Sequence, residues 1–211
     1  ARDEATSWAT PIIVEVDGKP QVVVSGSTAL RGYDLATGKI PWSCSGLSNN
    51  VVASPVASDG ILIAGSSYVR QAMLAIRLSG AKGNLAGSDH VLWSRHQRTP
   101  YVPSPVLHRG HAYFLRHYQA ILSRLEIQTG KEPTGPFRIP ELLNLYASPV
   151  AAAGRIYLTD QQGVTVVLDA GTEPKILGVN RLDESINASA AIVGKELFLR
   201  GANHLYCIAE E

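Results

Sequence analysis

Ala53-Ser54-Pro55-Val56 returns along the chain as Pro103-Ser104-Pro105-Val106 and Ala147-Ser148-Pro149-Val150, with looser copies in Ala9-Thr10-Pro11-Ile12 and Ala188-Ser189-Ala190-Ala191. The steps between them are 44, 50, 44 and 41 residues, within the roughly 20–50-residue periods that mark repeat architectures. After each anchor comes a glycine (Gly18, Gly60, Gly110, Gly154, Gly194) placed for a tight hairpin turn, where positive φ is needed. A strand follows each turn, as in Val22–Val24, Ile61–Ile63, Ala112–Leu115, Ile156–Leu158 and Leu197–Leu199. A third is read at Leu30–Asp34, Met73–Arg77, Ile121–Glu126, Val164–Asp169 and His204–Ile208. Four units add a fourth, around Pro41-Trp42-Ser43, Leu92-Trp93-Ser94, Phe137-Arg138-Ile139 and Ile176-Leu177-Gly178. Four short antiparallel strands in about 44 residues is the period of a β-propeller blade.

The predicted class is therefore all-β: a single propeller over 1–211 with blades near 7–46, 51–97, 101–141, 145–182 and 186–211, the last lacking its fourth strand. The extra length of the second unit falls in Ser79–His90, a Gly-, Ser- and Ala-rich stretch that reads as a loop insertion. Composition agrees with many short strands and turns: Val, Ile and Thr number 18, 14 and 10 of 211 residues, and Gly and Pro add 19 and 12. Net charge is +1 with no dense Lys/Arg run, so the electrostatic footprint of a nucleic-acid binder is missing. No apolar run approaches the roughly 18 residues of a membrane span.

Tyr33-Asp34-Leu35-Ala36-Thr37-Gly38-Lys39-Ile40-Pro41-Trp42 resembles the tryptophan-docking signature of quinoprotein (pyrroloquinoline-quinone-like) propellers, in which an Asp, a Thr-Gly turn and a Trp recur at this spacing. Leu125–Lys131 is a partial copy and Leu168–Thr172 a weaker one. The resemblance gives Asp34, Thr37, Gly38, Trp42 and Trp93 a structural docking role: the turn positions the last strand so that an indole covers the neighbouring blade. Full rings of this family have seven or eight blades. Only nine residues precede Thr10, too few to return an outer strand to the fifth unit, so the expectation is part of a larger ring. A compact five-bladed ring and self-association of two halves through open blade edges are the alternatives.

Catalytic members of the family bind their quinone and a calcium ion near the propeller axis. This sequence lacks the adjacent cysteines and the acidic ligands such a site uses, and Asn50, Tyr101, Asn144 and Asn187, which precede the anchors, make no hard-cation cage. No cofactor, metal or catalytic residue is assigned, and His108-Arg109-Gly110-His111 has no further ligands nearby. Cys207 falls in the third-strand column with Gly32 and Ala75 and reads as a small buried residue. A disulfide with Cys44 requires the first and fifth blades to meet.

Blade connections and second hairpins project from one face of a propeller. That geometry gathers Asn50, Tyr68, Arg70, Tyr101, His117, Tyr118, Asn144, Tyr146, Asn187 and Asn203 on one rim, a mixture of aromatics, amides and cations that suits partner binding. The resemblance implies a non-catalytic scaffold for an unidentified protein partner in the periplasm or at the cell surface, as in the propeller lipoprotein of the outer-membrane assembly machinery. The competing expectation is a fragment of a quinone- and calcium-dependent dehydrogenase whose catalytic residues lie outside this chain.

Overall fold

The computed structural model describes residues 4, 6–116 and 118–209. Among them every regular element is a strand, and the strands form five sheets. The first holds β1 (Ile12–Val16), β2 (Lys19–Ser25), β3 (Leu30–Asp34) and β4 (Trp42–Cys44); the second, β5 (Val56–Ser58), β6 (Ile61–Ser66), β7 (Ala72–Arg77) and β9 (Val91–Arg95), with β8 (Gly83–Asn84) between β7 and β9 in the chain. The third has β10 (Val106–His108), β11 (His111–Leu115), β12 (Ile121–Glu126) and β13 (Phe137–Arg138). The fourth has β14 (Val150–Ala152), β15 (Arg155–Thr159), β16 (Val164–Asp169) and β17 (Ile176–Arg181); the fifth, β18 (Ala191–Val193), β19 (Glu196–Arg200) and β20 (Leu205–Ala209). Within each sheet the consecutive blade strands pair antiparallel, the arrangement of propeller blades.

Local turn chemistry sets the registers. In the first four sheets, Asp17-Gly18, Asp59-Gly60, Arg109-Gly110 and Ala153-Gly154 all have positive φ at both positions, the two-residue turn whose twist matches a hairpin. The fifth uses Gly194-Lys195 with positive φ at the glycine alone. A fixed two-residue loop locks each inner strand one way, so its apolar residues keep to the blade faces.

The anchors have a physical purpose that spacing alone did not disclose. Thr10 N–H donates to Ser54 Oγ, Ser54 N–H to Ser104 Oγ, Ser104 N–H to Ser148 Oγ and Ser148 N–H to Ser189 Oγ, each at 2.9 Å. One hydroxyl per repeat thus accepts the backbone N–H of the blade before it. Apolar clusters fill three of the blade interfaces. Val14, Val23, Leu30 and Trp42 meet Leu62, Leu74 and Ile76 between the first and second sheets. Ile61, Ile63 and Met73 meet Phe114 and Leu125 between the second and third, and Tyr113, Leu115 and Leu122 meet Ile156, Leu158 and Val166 between the third and fourth.

Docking differs from blade to blade. Trp93 reaches across: its indole N–H donates to Ile127 O at 2.8 Å, and a Cβ on Gly130 would lie 2.6 Å from the ring. Trp42 keeps its hydrogen bond at home, donating to Gln21 Oε1 at 2.8 Å, because Gly32 leaves the indole room to lie over its own blade. The third blade has no tryptophan, and Tyr113 OH donates to Ala170 O at 3.1 Å, the carbonyl equivalent to Ile127 O in the next turn. Asp34 Oδ1 accepts from Thr37 N–H and Oγ1 at 2.8 and 2.7 Å, which shapes the turn ending at Gly38.

Two expectations are corrected. The Ser79–His90 stretch is more than a loop: β8 pairs parallel with Trp42–Ser43, and Ala81 and Leu85 enter the first core cluster, so the insertion caps the outer edge of the preceding blade. Cys207 is exposed because β20 is the outermost strand of its sheet; Cys44 is buried, and the two are free thiols.

Ser104→Ala removes the acceptor of Ser54 N–H and leaves a part-buried donor unpaired, which should cost about 1–3 kcal/mol. Thr10→Ala, whose hydroxyl receives no bond in the ladder, should stay within about 0.5 kcal/mol. Chemical denaturation of both variants checks the difference. Trp42, 1% exposed, should cost about 3–5 kcal/mol on replacement by alanine; an unchanged melt would show that the indole is not part of the core.

Candidate functional site

The ends of the strands opposite the two-residue hairpins carry the blade connections and second hairpins, and short polar bonds tie one to the other. Ser48 N–H donates to Ser66 Oγ at 3.0 Å and Ser48 Oγ to Tyr68 O at 2.7 Å. Thr99 Oγ1 donates to Ser66 O at 2.7 Å, and Leu145 N–H to Tyr118 O at 3.2 Å. Buried Asp160 accepts from the N–H groups of Leu143, Gln162 and Val164 at 2.9–3.1 Å. In the fifth blade Glu184 accepts Asn203 N–H and Tyr206 OH at 2.7 Å each, and also bonds His204 Nδ1. Those donors, led by the Asn203 N–H, hold the Glu184 carboxyl down to about 2. The rim is a frame of satisfied backbone rather than a set of loose loops.

On that frame four of the sequence-selected residues come into one row. Tyr68 and Tyr101 stack with ring centroids 5.9 Å apart, Tyr101 meets Tyr118 edge-on at 5.4 Å, and Tyr118 meets Tyr146 at 5.0 Å. These distances fall in the range of favourable aromatic pairs. The row crosses three blades. Burial pushes the Tyr118 phenol up to about 12, helped by its hydrogen bond with Tyr101 and by the neighbouring Tyr101 and Tyr146.

Val69 follows Tyr68 and is 80% exposed at φ 67°, a left-handed conformation that a β-branched residue adopts only under strain. It lines an open polar cleft of about 510 Å³ with Ser67, Arg70, Gln71, His96, Arg98 and Arg116. Arg70 donates to Leu47 O at 3.1 Å and Arg98 lies 3.4 Å from Glu132, while the Arg116 guanidinium has no partner among the described residues. Sequence reasoning found Arg70 but missed His96, Arg98 and Arg116. They lie on a connection and a strand end with no motif around them.

The other selected residues do not join the tyrosine row. Asn144 is exposed, and its carbonyl accepts Gln161 N–H at 2.9 Å. Asn187 takes a bond from Gln161 Nε2 at 2.6 Å, and Asn203 is bound through its backbone to Glu184. Asn50 has φ 61° and a buried Oδ1 without a hydrogen-bond partner among the described residues. His117 lies outside the described residues. Among the described residues no three His, Cys, Asp or Glu side chains come together as a metal site, and no helix is long and apolar enough to cross a membrane.

A family model described as outer membrane protein assembly factor BamB matches residues 2–211. The chain belongs to this family of PQQ-like propellers. Among solved structures it is similar to the computationally designed protein Ika8, with 11% identity, TM-score 0.67, and coverage of 94% of this chain and 57% of that one. A second designed protein, Ika4, is 11% identical at TM-score 0.60, with 82% of this chain and 99% of that one covered. BamB from Moraxella catarrhalis is 15% identical at TM-score 0.49, with coverage of 92% and 67%. The search of curated proteins gave no match. This PQQ-like propeller thus spans 57% of the length of the first of those structures, and likeness at this identity concerns the fold alone.

The environment that holds the Tyr118 proton makes stability fall at high pH. The folded phenol titrates near 12 and the unfolded one near its ordinary value of about 10, so its contribution to stability is complete below pH 10 and is lost as pH rises toward 12. Ultraviolet titration of tyrosinate absorbance should show a late-ionising phenol that disappears in Tyr118→Phe; identical titrations of the two proteins would contradict the assigned environment.

Proposed function

We propose that this chain is a non-catalytic binding module of the cell envelope, which presents its tyrosine row and the adjoining arginine cleft to a protein partner. One observation carries the reading. Tyr68, Tyr101, Tyr118 and Tyr146 come from separate connections and hairpins yet form one continuous row on a hydrogen-bonded frame. Tyrosine supplies large contact area with few rotatable bonds and a polar hydroxyl, so little conformational entropy is lost when a partner covers it. Arg70, Arg98 and Arg116 line the cleft that holds Val69, the residue after Tyr68, and aromatic residues with arginine are the pair enriched at the energetic centres of interfaces. Val69 adds an apolar tip held in a strained conformation. The family description supports the envelope placement and a role in assembly rather than turnover.

A photo-reactive amino acid at position 69 tests the reading in living cells, with the same group at Asp59, in a first-hairpin turn on the opposite face, as control. Position 69 should give a discrete cross-linked protein that falls at least tenfold in Tyr101→Ala/Tyr118→Ala, with melting and circular dichroism confirming the fold. Equal products from the two positions, or a product indifferent to the double substitution, would sink the proposal. Saturable binding of pyrroloquinoline quinone with calcium, read as a rise in melting temperature, would overturn the non-catalytic assignment.

A further inference from the structure

The interface between the fourth and fifth blades is unlike the other three. No apolar cluster joins those sheets among the described residues; an elongated cleft of about 640 Å³ lies there instead. The strand registers show which side chain is missing beside it. Trp42 stands opposite Gly32 and Trp93 opposite Ala75, each on the third-strand position two residues before the turn; the corresponding Val167 stands opposite Gly178. The ladder irregularity after Ala75 recurs after Val167, so the positions are equivalent. Glycine therefore occupies the place of the docking indole in the fourth blade. A Cβ there would meet only Asn180 Nδ2, at 3.9 Å.

The walls are chemically specific. Val167 and Tyr157 from the fourth blade face Ile192, Leu197, Leu199 and Ile208 from the fifth. Arg155 and Lys195 stand beside the first-hairpin end, Arg181 at the other end, and none has an ion-pair partner among the described residues. Glu196 is the carboxylate in the lining. Strand β15, whose Arg155 and Tyr157 line the cleft, has five residues and is roughly 16 Å long at about 3.3 Å per residue. The volume lies within the roughly 300–1,000 Å³ of small-molecule sites.

We propose that this cleft binds a single-chain amphipathic anion, an acyl carboxylate of about twelve carbons, with its chain along the aliphatic walls and its carboxylate at Arg155 and Lys195. Thr165 and Asn180 add polar groups to walls that are otherwise mainly aliphatic, with Tyr157 the one ring; such walls complement a flexible chain better than a stacked aromatic, and cations at the mouth complement a carboxylate. The site is independent of the tyrosine row.

Sodium laurate below its micelle concentration is the probe, with calorimetry and thermal melts of the 211-residue chain as readouts. The expected result is saturable one-to-one binding with a rise in melting temperature. Gly178→Trp should fill the cleft, raise the melting temperature without ligand, and weaken laurate binding at least tenfold. Arg155→Glu/Lys195→Glu leaves the walls intact and should also weaken it at least tenfold, so the test stands even when the filled variant does not fold. Dodecanol should bind at least tenfold more weakly than laurate. No saturable laurate binding, or binding undiminished in the charge variant or in a folded Gly178→Trp, would overturn the proposal. Tighter binding of dodecanol, or of indole-3-propionate, would likewise overturn the acyl carboxylate.

Discussion

The hydrogen bond from one anchor's backbone N–H to the hydroxyl of the next is the contact on which the other interfaces depend. It repeats at 2.9 Å between Thr10, Ser54, Ser104, Ser148 and Ser189 and fixes the distance between successive inner strands. With inner strands held at one spacing, blade faces can be filled by side chains of constant size, and Pro55, Pro105 and Pro149 after the serines set the backbone leading into each strand without using a ladder donor. A hydroxyl suits the task because its rotor can turn a lone pair toward the donor.

Farther from the axis the blades diverge and contacts become individual. Trp93 donates to Ile127 O, Tyr113 replaces that bond with one to Ala170 O, Trp42 turns back over Gly32, and Gly178 contributes nothing. One structural requirement, closing the outer wedge between blades, is thus met in three ways and left unmet once. The unmet case is where a cavity remains.

The rim follows from the same geometry. Connections and second hairpins from neighbouring blades are brought close by the inner ladder and then fastened by Ser48, Thr99, Asp160 and Glu184. Only on such a frame can four tyrosines from separate segments maintain centroid distances of 5.0–5.9 Å. The fastening residues were not visible as a group in the sequence, since each is an isolated Ser, Thr, Asp or Glu whose partners, mostly backbone N–H and carbonyl groups, no motif encodes.

The sequence by itself determined the repeat, the five hairpin turns and the class of fold, because those depend on local quantities: φ at a glycine, alternation of apolar residues, and the spacing of a recurring Ser-Pro. Tyr68, Tyr101, Tyr118 and Tyr146 could be selected from the sequence because each falls in a connection or second hairpin. Tertiary structure alone decided that these rings touch while Asn187 turns to Gln161, that Gly83–Asn84 caps the preceding blade, and that Cys207 is exposed. It also decided that a cleft lies along the face of the fourth blade on which Val167 stands opposite Gly178, with a far wall that comes from another sheet. Each of these rests on how neighbouring sheets are rotated against one another. That rotation is set by the summed packing of side chains far apart in the chain, and no short window of sequence contains it.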